Sequence, residues 1–375
     1  MTRSQPPLTP RLAEFPEHAR RIALTVSCRD ADALAKVEGA GEMRQVEGST
    51  VQVMHNGILV ERDCYCGSWM TEIIRCLRGH HEPQEELVFS HLVGRLAATE
   101  PDASIVELGS WWAFYSLWFL AELPGGRAVA VEPDEAFLEV GKRNFALNGR
   151  TATFLHGAIG DDPSGTLRFR AESDGLDHSV PQYDLATLMA MAGLERVGLL
   201  LADIQGAETI LIESARGLIE QGLIRFMLIS THHHSISGSS MTHQRTLATV
   251  EGLGGHVIAE HSVGESFSGD GLIAVSFDPR DRDLSVSISR ARQKDSLFGE
   301  LEPELELALS RASACEVELR QRAADSAALH HAVSRLDDEV AHLQGRLDAV
   351  HGSRIWRWSA AVRTARRRLR EATGG

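Results

Sequence analysis

Little in the 375-residue sequence points to disulfides, secretion, membrane spans or nucleic acid. The five cysteines, Cys28, Cys64, Cys66, Cys76 and Cys315, are odd in number and suggest no disulfide framework. Cys64 and Cys66 form a C-x-C pair with no second pair downstream, short of the four ligands of a closed zinc site. The opening MTRSQPPLTPRLAEFPEHARR lacks the apolar centre of a signal peptide, so a reduced cytoplasm is the expected setting. No run of 18 apolar residues occurs, so no segment reads as a membrane span. Positive charge is also short: 52 acids against 38 lysines and arginines leave a net charge of −14. That balance excludes general nucleic-acid binding, which needs a basic surface against phosphates. The exception is local. Seven arginines and no acid lie between Arg354 and Arg370, which marks that end as a separate functional piece.

What is present has an ordinary globular balance, 43% hydrophobic and 24% charged. Five stretches are expected. Residues 1–79 read as an N-terminal region: RIALTV as a short strand, a strand pair around Asn56-Gly57, and a helix over MTEIIRCLRG ended by Gly79. Residues 80–280 alternate strand and helix. Apolar runs at 104–109, 128–133, 152–159, 197–204, 226–231, 256–263 and 272–277 are separated mostly by helical patterns. Near-continuous apolar strands imply a sheet buried on both faces, and the alternation implies an α/β, doubly wound, parallel sheet. Residues 281–301 read as a linker. From 302 to 351, Leu305, Ala308, Ala312, Cys315, Leu319, then Leu329, Val333, Leu336, Val340, Leu343, Leu347 and Val350 keep a 3–4 spacing interrupted only by Arg322 and Ser326. That pattern predicts a coiled coil of about 70 Å at about 1.5 Å per residue, the alternative being one long amphipathic helix lying on the body. Residues 352–375 form a basic amphipathic tail with Ile355, Trp356, Trp358 and Val362 on its apolar side.

Ligands on a doubly wound sheet sit beyond the carboxyl ends of the strands, so those ends are the candidates. The first strand ends in Glu107-Leu108-Gly109-Ser110, where a glycine lets a ligand approach the backbone. No G-x-G-x-x-G follows, because Trp111 and Trp112 occupy the place of further glycines. A dinucleotide pyrophosphate is poorly cradled there. S-adenosylmethionine has no phosphate and needs no such cradle. The second strand ends in Glu132, placed to accept ribose hydroxyls, and the third runs through Gly157 to Asp161, suited to an adenine amine. Each acid could equally cap a helix. The fourth strand ends in Asp203 and the fifth runs into His232-His233-His234. In extended chain His232 and His234 share a face. Asp203 with a histidine is a plausible general-base pair, and carboxylate with neutral imidazole also suits a divalent ion.

These segments resemble the FkbM family of S-adenosylmethionine-dependent O-methyltransferases over residues 51–277. ELGSWWAFYS stands for the family's acid-x-G-A-N-x-G turn, VEPD carries the second-strand acid, and ADIQGAE, Asp203 to Glu208, keeps the D-x-x-G-A-E signature intact. GHHEPQEELVF, STHHHSISG and SFSGDG resemble a subgroup linked to bacterial surface-glycan loci. The resemblance implies a Rossmann-like class I methyltransferase fold, with seven strands and the last antiparallel. It also implies methyl transfer to a hydroxyl, often of a sugar or glycan or of a polyketide-derived natural product. By that resemblance Gly109, Ser110 and Glu132 contact the cofactor, Asp161 lies near adenine, and Asp203 faces the reacting centre. The altered first motif leaves the methionine end unassigned, and Glu82, Glu85 and Glu107 are candidates for its ammonium. His232 or His234 is expected to take the acceptor proton. Asp203 then orients the hydroxyl or, with His232, holds magnesium or manganese. Glu208 assists or only caps its helix. Two other readings stand beside this one: a nicotinamide-dependent enzyme, and a scaffold acting through its coiled coil. The coiled coil implies a homo-oligomer or a partner protein. The tail at 354–370 suits either an acidic partner or the inner face of a membrane.

Overall fold

Apolar spacing decides which segments become which elements. The computed structural model describes residues 7–160, 162, 165–292 and 301–373, and it divides into two units, Met1–Leu301 and Glu302–Gly375. The first unit opens with helix α1 (Ala19–Ser27), strands β1 (Met43–Val46), β2 (Ser49–Val53) and β3 (Leu59–Glu61), and helix α2 (Ser68–Cys76). β2 and β3 pair antiparallel with Val53 opposite Leu59, turned at Asn56-Gly57 where Gly57 has φ 88°. The RIALTV segment is helical, not a strand. Ile22, Thr25 and Val26 recur at helical spacing and bury one side of α1, and that period outweighs β-branched propensity.

The main body follows as α3 (Pro83–Thr99), β4 (Ser104–Leu108), α4 (Phe114–Glu122), β5 (Arg127–Glu132), α5 (Glu135–Leu147) and β6 (Thr153–His156). A small sheet of β7 (Ala158–Ile159), β8 (Thr166–Arg170) and β9 (Asp177–Tyr183) comes next. The chain returns through α6 (Leu185–Ala192), β10 (Val197–Ala202), α7 (Glu208–Glu220), β11 (Ile224–Thr231), α8 (His234–Ser237), α9 (Thr242–Gly252), β12 (His256–His261) and β13 (Gly271–Ser276). Seven strands form one sheet in the order β12-β13-β11-β10-β4-β5-β6, with β13 antiparallel to both its neighbours. This is the seven-stranded, mostly parallel, Rossmann-like sheet expected from the alternation. Leu199 and Leu201 join the apolar cluster on one face, and Leu200 and Ala202 join that on the other. Burial on both faces explains why these strands read as unbroken apolar runs.

The order reverses between β4 and β10, which opens the switch-point crevice beyond their carboxyl ends. The run 152–159 is two strands rather than one. It breaks at Gly157, which passes so close to the Tyr183 ring that a Cβ would lie 2.3 Å from it. The segment read as a linker is docked in its first part: Val286 donates to Ile258 O at 3.0 Å, Ala291 to Glu265 O at 2.9 Å, and both side chains are buried. In the second unit, α10 (Leu301–Gly352) is followed by α11 (Arg354–Trp358) and α12 (Ala360–Thr373). Leu329, Leu336 and Leu343 on α10 are more than half exposed within the chain.

Candidate active site

Beyond β4 the backbone turns through Gly109 (φ 75°), Trp111 (φ 35°) and Ala113 (φ 55°) into α4. Gly109 N and Ser110 N both donate to Val131 O, at 2.9 and 3.1 Å. Asp203 N donates to Leu108 O at 2.9 Å, which brings the end of β10 against this turn. A Cβ on Gly109 would stand 1.8 Å from the Asp203 carbonyl oxygen, so only glycine fits. The two tryptophans of the altered turn, Trp111 at the family's Asn and Trp112 at its variable position, turn aside. Trp111 stacks on Phe137 with centroids 3.8 Å apart and donates its Nε1 to Cys64 O at 3.0 Å. Trp112 is buried and stacks on Tyr65 at 4.7 Å. The N-terminal region therefore closes over the turn through residues 64 and 65, a role the sequence left undecided.

At the end of β5, Glu132 is buried. Its Oε2 accepts from Trp111 N and its Oε1 from Asp134 N, both at 2.9 Å. Burial pushes its pKa up to about 7 against those two hydrogen bonds. The capping role falls on Asp134, which accepts from Ala136 N at 3.0 Å and from the Ser173 hydroxyl at 2.8 Å. Each Glu132 oxygen therefore keeps acceptor capacity for a ligand. Asp161, the adenine-side expectation, lies outside the described residues.

The ends of β10 and β11 carry three groups in line. Glu208, the first residue of α7, places Oε1 2.8 Å from His232 Nδ1, and His232 Nε2 lies 2.9 Å from Asp203 Oδ1. Glu208 also accepts from Gly206 N at 3.0 Å, so it braces the turn that leads into α7 as well as pairing with His232. His232 is buried. Burial opposes its charge, but the hydrogen bonds to Asp203 and Glu208 outweigh that and raise its pKa well above the ordinary imidazole value. Asp203 is the accessible end, with 40% of its side chain exposed. His234 does not alternate with His232 as extended chain would. β11 stops at Thr231, and His234 opens α8 in an exposed position.

Carboxylates line the same crevice. Glu85 accepts from the Ser230 hydroxyl at 2.8 Å and Glu107 accepts from Ser116 N at 2.9 Å. Burial pushes Glu85 to about 7 and Glu107 to about 8, and it raises Glu82 well above the usual range. Asp270 lies 3.9 Å from His232 Nε2, and burial raises its pKa too. Asp270 belongs to the SFSGDG segment but was not read as a site residue. Its place depends on the antiparallel return of β13, which no local pattern reveals.

Residues 96–256 match the model of the methyltransferase FkbM domain. The segment resembles an FkbM methyltransferase domain over 161 of the 375 residues. The resemblance drawn from VEPD and ADIQGAE is borne out over that span, and the match supports methyl transfer from S-adenosylmethionine. No curated protein sequence matches the chain. Among solved structures the chain is similar to WbdD, a bifunctional kinase-methyltransferase, at 13% identity over 52% of this chain and 39% of that one, TM-score 0.33. It is similar to an O-methyltransferase from Bacillus cereus in complex with SAH, at 13% identity over 50% of this chain and 80% of that one, TM-score 0.33. TrmK of M. capricolum with S-adenosyl-homocysteine gives 12%, 52% and 74%, TM-score 0.31. The chain spans about two fifths of the length of WbdD. These likenesses are distant, and the chain's own strand order carries the fold.

The crevice of this domain fits a cationic methyl donor. Glu85 and Glu107 are buried and Glu82 is half-buried; burial raises all three, while Arg21 acts against it on Glu82, and His232 and Arg21 act against it on Asp270. An ammonium or sulfonium would supply further positive charge. Ser110 Oγ is buried without a hydrogen-bond partner, as a polar ligand would require. The thiols of Cys64 and Cys66 are pushed up to about 12 by burial. A second cluster, His55, His80 and Glu86, holds its donor atoms within 4.8 Å of one another. His80 is hydrogen-bonded to Glu86, and the His55 and His80 rings stack at 4.1 Å. Burial opposes the Glu86 charge, yet His80 and His81 outweigh it and hold its pKa well below the carboxylate range. The cluster ties the β2–β3 hairpin to the start of α3 through the His80–Glu86 hydrogen bond and the stacked rings.

Proposed function

We propose that the FkbM-like domain transfers a methyl group from S-adenosylmethionine to a hydroxyl of a sugar or glycan. The line Glu208–His232–Asp203 carries this reading, because it ends in one accessible carboxylate beside the Gly109 turn. S-adenosylmethionine supplies a methyl already activated on a sulfonium sulfur, so the protein's task is largely positioning. Glu82, Glu85 and Glu107 hold the methionine ammonium, and Glu132 accepts from the ribose hydroxyls. As the new oxygen–carbon bond forms and the sulfur–carbon bond breaks, the acceptor hydroxyl proton passes to Asp203 and then to water. His232 is a positioning residue and not the base. Flanked by two carboxylates it stays protonated, fixes the Asp203 rotamer and is itself fixed by Glu208. The same geometry disfavours His232 as a metal ligand, since neither ring nitrogen has a lone pair to spare, so chelation by EDTA is expected to leave turnover unchanged. The exposed apolar row along α10 supports a coiled-coil association that tethers the domain to an assembly.

The test is transfer of radiolabelled methyl from S-adenosylmethionine to a panel of sugars, nucleotide sugars and glycans. The reading expects at least one labelled, alkali-stable ether. Labelling of an amine or carboxylate acceptor alone overturns the choice of a hydroxyl.

A further inference from the structure

The last two helices do not belong to the reaction. Among the described residues no helix is long and apolar enough to cross a membrane, yet α11 and α12 carry a built, one-sided surface. We infer that they form an anchor that lies in the interface of an anionic lipid bilayer.

The elbow between the helices is fixed. Ser353 caps α11, with its hydroxyl accepting from Trp356 N at 3.2 Å. Arg363 of α12 reaches back, donates Nη2 to Trp356 O at 2.7 Å and lays its guanidinium 3.7 Å from the Trp356 ring centre. Trp356 and Arg363 are therefore spent on the elbow. Ile355 and Trp358, one turn apart on α11, are left 83% and 90% exposed. Large apolar side chains at such exposure mark an interaction surface, not packing.

α12 continues the surface. At about 100° per residue, Ala361, Val362, Ala365, Leu369 and Ala372 fall within an arc of about 100°. Arg363, Arg366, Arg367 and Arg370 fall in a second such arc centred about 140° away. Arg366 and Arg368 border the apolar stripe on either side, where their stems lie along it and their heads reach outward. A narrow apolar stripe edged by arginines, with a tryptophan at one end, suits the boundary between headgroups and acyl chains. Charge selects the lipid. Seven arginines without an acid occupy residues 354–370 of a chain whose net charge is −14, so an anionic bilayer attracts this end and repels the rest.

The test uses the full chain and sedimentation with vesicles of phosphatidylcholine alone or mixed with phosphatidylglycerol. The chain is expected to sediment with the anionic vesicles and to stay in solution with the neutral ones. Replacing Arg366, Arg367 and Arg370 together by glutamine should weaken binding on the order of 100-fold, at roughly fivefold per arginine. Trp358→Ser with Leu369→Ser keeps every charge, and it should also release the protein. Circular dichroism checks that both variants stay helical. The inference is overturned if anionic vesicles bind no chain, which leaves an acidic protein as the partner. It is equally overturned if the serine variant binds as tightly as the parent, which would mean adsorption by charge without insertion.

Discussion

Replacing Gly109 by alanine tests the packing that joins the cofactor turn to the reacting carboxylate. Gly109 sits at φ 75°, a left-handed conformation that costs a non-glycine residue about 1–2 kcal/mol. The added Cβ would also fall 1.8 Å from the Asp203 carbonyl oxygen, an atom of the β10 backbone exit that cannot swing aside. Relieving the overlap means parting the ends of β4 and β10, and overpacking of this kind costs about 1–3 kcal/mol more. Gly109→Ala should therefore lose about 2–5 kcal/mol. Gly149→Ala isolates the first contribution: its φ is 60°, and nothing lies within 4 Å of its added Cβ. It should lose only about 1–2 kcal/mol. Urea unfolding followed by tryptophan fluorescence reports the difference, since Trp111, Trp112 and Trp118 lie beside the turn. Binding of S-adenosylhomocysteine should fail in Gly109→Ala and survive in Gly149→Ala. Equal unfolding midpoints for the two variants, with binding retained in both, would refute the claim that the two strand ends touch through Gly109.

Asp203→Asn should abolish methyl transfer and leave S-adenosylmethionine affinity within a few-fold of the parent; retained turnover removes Asp203 from the proton path. His232→Gln should lower kcat and shift its pH profile while the KM for the methyl donor stays put, as expected of a residue that acts through Asp203. Affinity for S-adenosylmethionine should rise between pH 6 and 7.5. Glu85, pushed by burial to about 7, is largely neutral at the lower end and ionised at the upper, and only the ionised form attracts the ammonium. Without ligand the sign for stability is the reverse. Carboxyls raised in the folded state above an unfolded value of about 4.3 favour folding at low pH and weaken it as pH rises through 7 to 8. Urea midpoints across that range should fall for the free chain and recover with S-adenosylhomocysteine. Arg225→Met should cost about 3 kcal/mol in the same assay, because Asp281, paired with Arg225 at 2.7 Å, stays buried with only the Ser276 hydroxyl and a 3.9 Å contact to Arg95.

The central strands were legible because burial on both faces makes them short unbroken apolar runs such as VGLLLA, alternating with longer helical patterns. The strand-end residues followed from that and from one topological rule. Long-range pairing was not legible. Gly109 stood out as a glycine, but the atom that demands it belongs to Asp203, on a strand far along the chain. Trp111 and Trp112 read as bulk in a cofactor turn, whereas their partners, Phe137 and Tyr65, lie on elements before and after it. The Asp203–His232 pairing was anticipated, but not that Glu208 would close the other side of the ring. That closure turns a presumed base into a held cation. The small sheet of β7, β8 and β9 has little sequence signature: β7 lies within the apolar run 152–159, and β8 and β9 are largely exposed.

Calorimetric titration of the full chain with S-adenosylmethionine, repeated with NAD, tests the central claim most directly. The buried carboxylates around the crevice predict one site for S-adenosylmethionine, with protons released on binding in buffers of different ionisation enthalpy, and no heat of binding for NAD. Binding of NAD, or no binding of S-adenosylmethionine, would contradict it.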